Sequence, residues 1–104
     1  MELAETTKDG FLINREDWTP EIAEKIAQQE EITLTEEHWE IIRFVQNYYQ
    51  EYSITPIMRI LGKAIGEKLG EDKGKSRYLY KLFPDAPVRQ SARIAGLPKP
   101  PSCI

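Results

Sequence analysis

Cys103 is the only cysteine among the 104 residues, and it stands next to last. A thiolate is a strong nucleophile, and an unperturbed cysteine has a pKa of about 8.5. The thiol closes the run Gly96-Leu97-Pro98-Lys99-Pro100-Pro101-Ser102-Cys103-Ile104. Proline cannot hold a helix interior or donate to a sheet, and it favours an extended polyproline strut. The expectation is an extended, flexible C-terminal arm over residues 96–104 that presents the thiol away from the domain. From Gly96 to Cys103 such an arm spans roughly 20 Å at about 3.1 Å per residue, long enough to enter a partner's cleft.

Elimination narrows the thiol's chemistry. A dithiol oxidoreductase needs a second, resolving cysteine, and there is none. A prenylation signal needs its cysteine fourth from the end. A cysteine hydrolase needs a positioned base. His38, the only histidine, falls in the first turn of an expected helix, where a capping or half-buried role suits it. A structural zinc site wants about four Cys or His ligands, so neither a metal nor a cofactor is expected. Two readings remain: a nucleophile that accepts an atom or group and hands it on, or an inert terminal thiol. The α-carboxylate of Ile104 disfavours the thiolate, whereas Arg89, Arg93 and Lys99 favour it if the arm folds back over them.

The elements that must carry this arm announce themselves by caps and periodicity. Thr19 is an N-cap with Pro20 at the first helical position, and Ile22, Ala23, Ile26 and Ala27 form one stripe. Thr35 caps a second helix, with Glu36 and Glu37 near its positive end. Trp39, Ile42, Val45 and Tyr49 share its face, widened by Ile41, Phe44, Tyr48 and Tyr52. Thr55-Pro56 repeats the start signal for a third helix through Ile57, Ile60, Leu61, Ala64, Ile65 and Leu69, ended by Gly70. Gly62 and Gly66, one turn apart, imply close helix packing at a cost of about 1 kcal/mol each relative to alanine. A polar loop, Glu71 to Lys75, precedes a short helix from Ser76 that stops at Pro84. A last helix runs from Pro87 to Ala95, with Gly96 past its end. Asp9-Gly10 followed by Phe11-Leu12-Ile13 reads as a small hairpin or hooked strand over residues 1–13, with Trp18 and Trp39 packing between it and the helices. The fold class is mainly α (α+β): a compact helical bundle with an N-terminal β-hairpin over residues 1–95, then the arm.

Hydrophobic residues make up 40% and charged residues 30% of the chain, which fits one ordinary soluble domain rather than a disordered segment. No apolar run is long enough to span a membrane, and the basic-then-apolar layout of a signal peptide is not seen. The lone thiol suits a reducing, cytoplasmic setting. The net charge of −3 hides an asymmetry. Residues 1–72 carry seven basic and sixteen acidic side chains, whereas residues 73–104 carry seven basic side chains against Asp85 alone. The thiol lies in this cationic third, which is either solvated surface or a region that stabilises an anion or meets an anionic partner.

Several runs, in order, carry a resemblance. They are Asp9-Gly10-Phe11-Leu12 followed by Trp18; Leu34-Thr35 with His38-Trp39-Glu40; and Pro56 with Arg59 and Leu61. Tyr78-Leu79-Tyr80 with Leu82-Phe83-Pro84 follows, and then Ile94-Ala95-Gly96-Leu97-Pro98-Lys99-Pro100 before the penultimate cysteine. From about residue 5 to residue 104 the chain resembles the DsrC/TusE sulfur-relay family. The resemblance implies a helical bundle with a hairpin and a mobile arm. It implies that Cys103 takes up sulfane sulfur as a persulfide and passes it to the next protein. The implied donor is a TusBCD-like sulfurtransferase complex and the implied acceptor a tRNA 2-thiouridylase acting at the wobble uridine; direct contact with tRNA is left open. In that scheme Lys99, Arg93 and Arg89 are candidates for stabilising the anionic sulfur or docking acidic donor surfaces, with plain solubility as the alternative. The branch that partners dissimilatory sulfite reductase carries a second cysteine eleven positions before the penultimate one. Here that position is Ala92, which points to the single-thiol, TusE-like branch. The chain is then a sulfurtransferase-type carrier rather than a stand-alone catalyst.

Two other readings stand beside this one. A non-catalytic accessory subunit of a sulfite-reductase-type or other redox enzyme would use its tail to complete the partner's channel. A helix-turn-helix nucleic-acid binder would join its second and third helices near Ser53-Ile54-Thr55 and present Arg59, Lys63 and Lys68. The acidic balance of that segment weighs against phosphate binding.

Overall fold

Helix 1 begins where Thr19 adopts an extended backbone and its Oγ1 accepts the Ile22 N–H at 3.2 Å, with Pro20 in the first turn. The computed structural model describes residues 10–12 and 14–98, and within them five α-helices follow one another. They are α1 (Pro20–Gln29), α2 (Glu36–Tyr52), α3 (Met58–Leu69), α4 (Ser76–Leu82) and α5 (Pro87–Ile94). Short 3-10 turns at Arg15–Asp17 and Glu71–Gly74 complete the set. No β-strand occurs among the described residues; Leu12 makes only an isolated bridge. Most of the hairpin expected over residues 1–13, and the arm from Lys99 onward, lie outside the described residues.

α2 is the longest element and its start is doubly tied. His38 Nδ1 accepts the Thr35 backbone N–H at 3.1 Å, closing a capping box with histidine in the place glutamate usually takes. An acceptor at Nδ1 leaves the ring proton on Nε2, which donates to the Leu82 carbonyl at 2.8 Å and pins α4 to α2. The only histidine is therefore a buried structural link, with its ring edge-on to Phe83. α2 buries Ile41, Ile42 and Val45. Tyr52, expected on this apolar face, is exposed.

α3 starts later than Thr55-Pro56 suggested. Thr55 is buried, Ile57 is the cap, and the helix begins at Met58. Leu61 and Ile65 enter the core, whereas Ile57 and Ile60 remain exposed. The close approach implied by Gly62 is made to the 3-10 turn rather than to another helix. A Cβ on Gly62 would lie 2.6 Å from the Gly74 carbonyl oxygen, so only hydrogen fits there.

α5 packs against each of the other four helices. Pro87, Val88, Gln90, Ser91, Ala92 and Ile94 are all buried. Its start is capped from within, because Gln90 Oε1 accepts the backbone N–H groups of Asp85 and Ala86 at 3.2 and 3.3 Å. The helix that leads into the thiol-bearing tail is thus the hub of the core.

Candidate functional site

The site is built at the point where α5 ends. Gly96 takes the left-handed conformation, with φ of 78°. Its N–H donates to the Arg93 carbonyl at 3.2 Å, and the Leu97 N–H reaches back to the Ala92 carbonyl at 2.9 Å. Those two bonds define a Schellman cap. Leu97, at 1% exposure, is seated in the core cluster. The compact body therefore runs through Leu97, past the boundary at residue 95 drawn from sequence, and Pro98 is the first residue outside the cap.

The carbonyls that the cap leaves over are taken by side chains from far along the chain. Trp18 Nε1–H donates to the Ile94 carbonyl at 2.7 Å, and Gln46 Nε2 donates to the Ala95 carbonyl at 2.9 Å. The Trp18 indole also lies on Gly96, where a Cβ would fall 2.5 Å from Trp18 Cδ1. Trp18 packs edge-on to Trp39 at 6.5 Å, and Arg43 sits 6.0 Å over the Trp39 ring. A pocket of about 230 Å³ opens at this root, lined by Trp18, Gln46, Asn47, Gln50, Ala95 and Leu97.

On another side of α5, Arg93 is fully committed. Its Nη1 donates to Glu30 Oε2, its Nη2 to Gln29 Oε1 at 2.6 Å, and its Nε to the Gly10 carbonyl at 2.9 Å. Its side chain is 13% exposed. Gly10 has φ of 87°, and a Cβ there would run into the Arg93 guanidinium. Arg89 lies 3.6 Å from the same Glu30 oxygen and is 30% exposed, which leaves it partly available at the surface. Gln90 Nε2 donates to Glu30 Oε1 at 3.0 Å. Burial alone would raise the Glu30 pKa; the Gln90 and Arg93 hydrogen bonds and the charges of Arg93 and Arg89 outweigh it and hold the carboxyl below its ordinary 4.5.

Of the residues singled out from sequence, the structure thus places Arg93 and Arg89 together around Glu30. Cys103 and Lys99 lie outside the described residues. Ala92 is fully buried beneath the cap. Part of the cationic third is answered by the acidic two-thirds: Lys73 Nζ donates to Glu40 Oε1 at 2.7 Å, which raises the lysine's pKa. Lys75 lies 3.6 Å from Asp72. Sequence reasoning did not single out Gln46 and Glu30. No local spacing marks them, since they act on residues 49 and 63 positions away. Among the described residues no group of three or more His, Cys, Asp or Glu side chains is placed to hold a metal ion, and no helix is long and apolar enough to cross a membrane.

A small helical body with a capped hub helix feeding a cysteine-bearing tail has close counterparts. A family model described as DsrC like protein matches residues 2–104, and the chain belongs to that family. It is 56% identical over 100 residues to Sulfurtransferase TusE of Photorhabdus laumondii, covering 96% of this chain and 90% of that protein. It is 49% identical over 100 residues to Sulfurtransferase TusE of Escherichia coli, covering 96% and 92%. Among solved structures, Allochromatium vinosum DsrC matches with a TM-score of 0.85 at 52% identity, over 93% of this chain and 87% of that one. The oxidized gamma-subunit of the dissimilatory sulfite reductase (DsrC) from Archaeoglobus fulgidus matches with a TM-score of 0.85 at 40% identity, over 97% and 92%.

Proposed function

We propose that this protein is a cytoplasmic sulfur carrier that holds sulfane sulfur on Cys103 and moves it between proteins. The observation that carries the proposal is the similarity, over nearly the whole chain, to proteins named sulfurtransferases, in a chain whose one thiol is Cys103. The Cys103 thiolate attacks the outer sulfur of a donor persulfide. The new S–S bond forms as the donor's S–S bond breaks, and the donor leaves as a thiolate. The outer sulfur keeps its proton, and the exchange has no net redox change. An acceptor thiolate then repeats the exchange and releases Cys103. The donor is a TusBCD-like complex, and the acceptor a tRNA 2-thiouridylase. Cys103 stands six residues beyond the anchored Leu97, so its reach from the body is at most about 20 Å. Lys99 and the part-exposed Arg89 meet the anionic sulfur or acidic donor surfaces, and Arg93, bound to Glu30, serves by holding α5.

The test is incubation with a persulfide-loaded protein donor followed by intact mass analysis. Wild type gains one sulfur atom and Cys103→Ser gains none; no gain in wild type, or equal gain in the variant, overturns the proposal. A second reading is favoured by the Archaeoglobus fulgidus match: a subunit of a sulfite-reductase-type enzyme. With alanine at position 92 and one cysteine in the chain, it could not form an internal disulfide. Stable co-purification with such an enzyme that survives Cys103→Ser would favour this second reading.

A further inference from the structure

We infer that Trp18 and Gln46 are positioning residues that fix the bearing on which the chain leaves the body at Pro98, and so confine the space that Cys103 can sweep. The inference rests on the reading that Cys103 is the working group. The last turn of a helix leaves carbonyls without intrahelical partners. In α5 those of Ala92 and Arg93 are used by the cap, which any Schellman ending provides. The next two, Ile94 and Ala95, lie at the exit itself, and each receives a side-chain donor from a separate part of the chain. Ordinarily water would serve such carbonyls. Trp18 comes from the segment before α1, and Gln46 from the middle of α2. Together they bind the exit to two elements that the cap alone would leave unlinked to it.

The packing agrees with the hydrogen bonds. The indole covers Gly96 so closely that no side chain could stand there, and Leu97 is locked in the core. The chain therefore has no slack before Pro98. Proline then fixes its own φ, which carries the bearing one residue further. Beside the exit, Gln46, Asn47 and Gln50 form the α2 wall of the root pocket. A tethered group held to a sector presents a higher effective concentration to a partner docked in that sector than one on a free swivel.

The test uses the only thiol in the chain. A nitroxide on Cys103 broadens the amide resonances of whatever it passes. In wild type the broadening is expected on one sector around the exit. In Trp18→Phe, which keeps a ring but loses the donor, and in Gln46→Met, which keeps the length but loses the amide, it spreads to other faces. Each lost bond shifts the latched-to-unlatched ratio by about fivefold. A merely structural role would lower the thermal midpoint and leave the pattern unchanged. An even spread in wild type, or an unchanged pattern in a folded variant, overturns the inference. Should Trp18→Phe fail to fold, Gln46→Met decides alone. The labelled protein carries no persulfide, so this outcome is independent of the mass experiment that tests sulfur uptake.

Discussion

α1 and α5 end in the same hydrogen-bond motif with different residues in the left-handed position, Glu31 at φ 60° in one and Gly96 at φ 78° in the other. At the end of α1 the Glu31 N–H meets the Gln28 carbonyl at 3.0 Å and the Ile32 N–H meets the Ala27 carbonyl at 2.8 Å, matching the bonds of Gly96 and Leu97. A positive φ alone therefore does not impose glycine on this fold. The difference is what lies outside. Glu31 is exposed, whereas the Trp18 indole sits on the Cα of Gly96. Glycine at 96 answers to packing as much as to dihedral strain, and that packing surrounds the exit of the thiol-bearing tail. The two ends are also bound to each other, because Glu30, at the end of α1, takes its hydrogen bonds from Gln90 and Arg93 of α5.

The residues that follow the two left-handed positions give the largest expected effect. Leu97 is 1% exposed and Ile32 is 8% exposed. Leu97→Ala leaves a void in the hub and should cost about 4 kcal/mol in urea unfolding, with Ile32→Ala costing less. Equal losses would mean that the two caps are equivalent. Gly96→Ala comes next, at about 3 kcal/mol, from left-handed strain plus the collision with Trp18. A Trp18→Gly background, which removes every side-chain atom that crowds Gly96, sharpens the point: there the same substitution should cost only the strain, about 1 kcal/mol, and an undiminished cost would refute the packing argument.

Glu30→Gln tests the tie between the ends. It removes the carboxylate that Arg93 and Arg89 share, with an expected loss of about 2 kcal/mol at neutral pH. The pH dependence carries a sign. The folded-state pKa of Glu30 lies below its ordinary 4.5, so the unfolded chain binds the proton more readily. The contribution is complete above about 4.5 and is lost as pH falls through the folded value. Stability against pH should therefore fall more steeply on the acid side in wild type than in Glu30→Gln. Parallel acid limbs would show that another carboxylate governs the fall.

What was legible in the sequence followed the reach of each signal. Thr19-Pro20, Thr35 and Pro87 marked helix starts because a cap acts within one turn, and all three helices stand where those signals put them. At Thr55-Pro56 the same signal misplaced α3, since Thr55 turned out to be buried ahead of the helix rather than capping it. Periodicity found the faces of α2 and α3 but not where the body runs out. Tyr52, Ile57 and Ile60 continue apolar stripes beyond the core and stand exposed. Gly62 signalled a close approach, yet a spacing of four cannot reveal that the partner is the backbone at Gly74. Around the exit, Gly96 was readable as a helix stop. Its supports were not, because Trp18, Gln46 and Glu30 act across 76, 49 and 63 positions. Cys103 lies outside the described residues, and its role stays a proposal that rests on its chemistry and on the family.

The smallest effect has the opposite sign to that at Gly96. Glu31 has an exposed side chain, its backbone bears the left-handed penalty, and its carboxylate lies at the negative end of α1. Glu31→Gly relieves about 1–2 kcal/mol of strain and gives back about 0.5–1 kcal/mol in unfolded-chain entropy. With the unfavourable charge also gone, the net is a gain of about 1 kcal/mol. Glu31→Asn should recover part of it, since asparagine tolerates the left-handed region. Glu31→Gln, which removes the charge alone, should recover only a few tenths of a kcal/mol. If Glu31→Gln matches Glu31→Gly, electrostatics rather than backbone strain distinguishes this end of α1, and the comparison with Gly96 loses its basis.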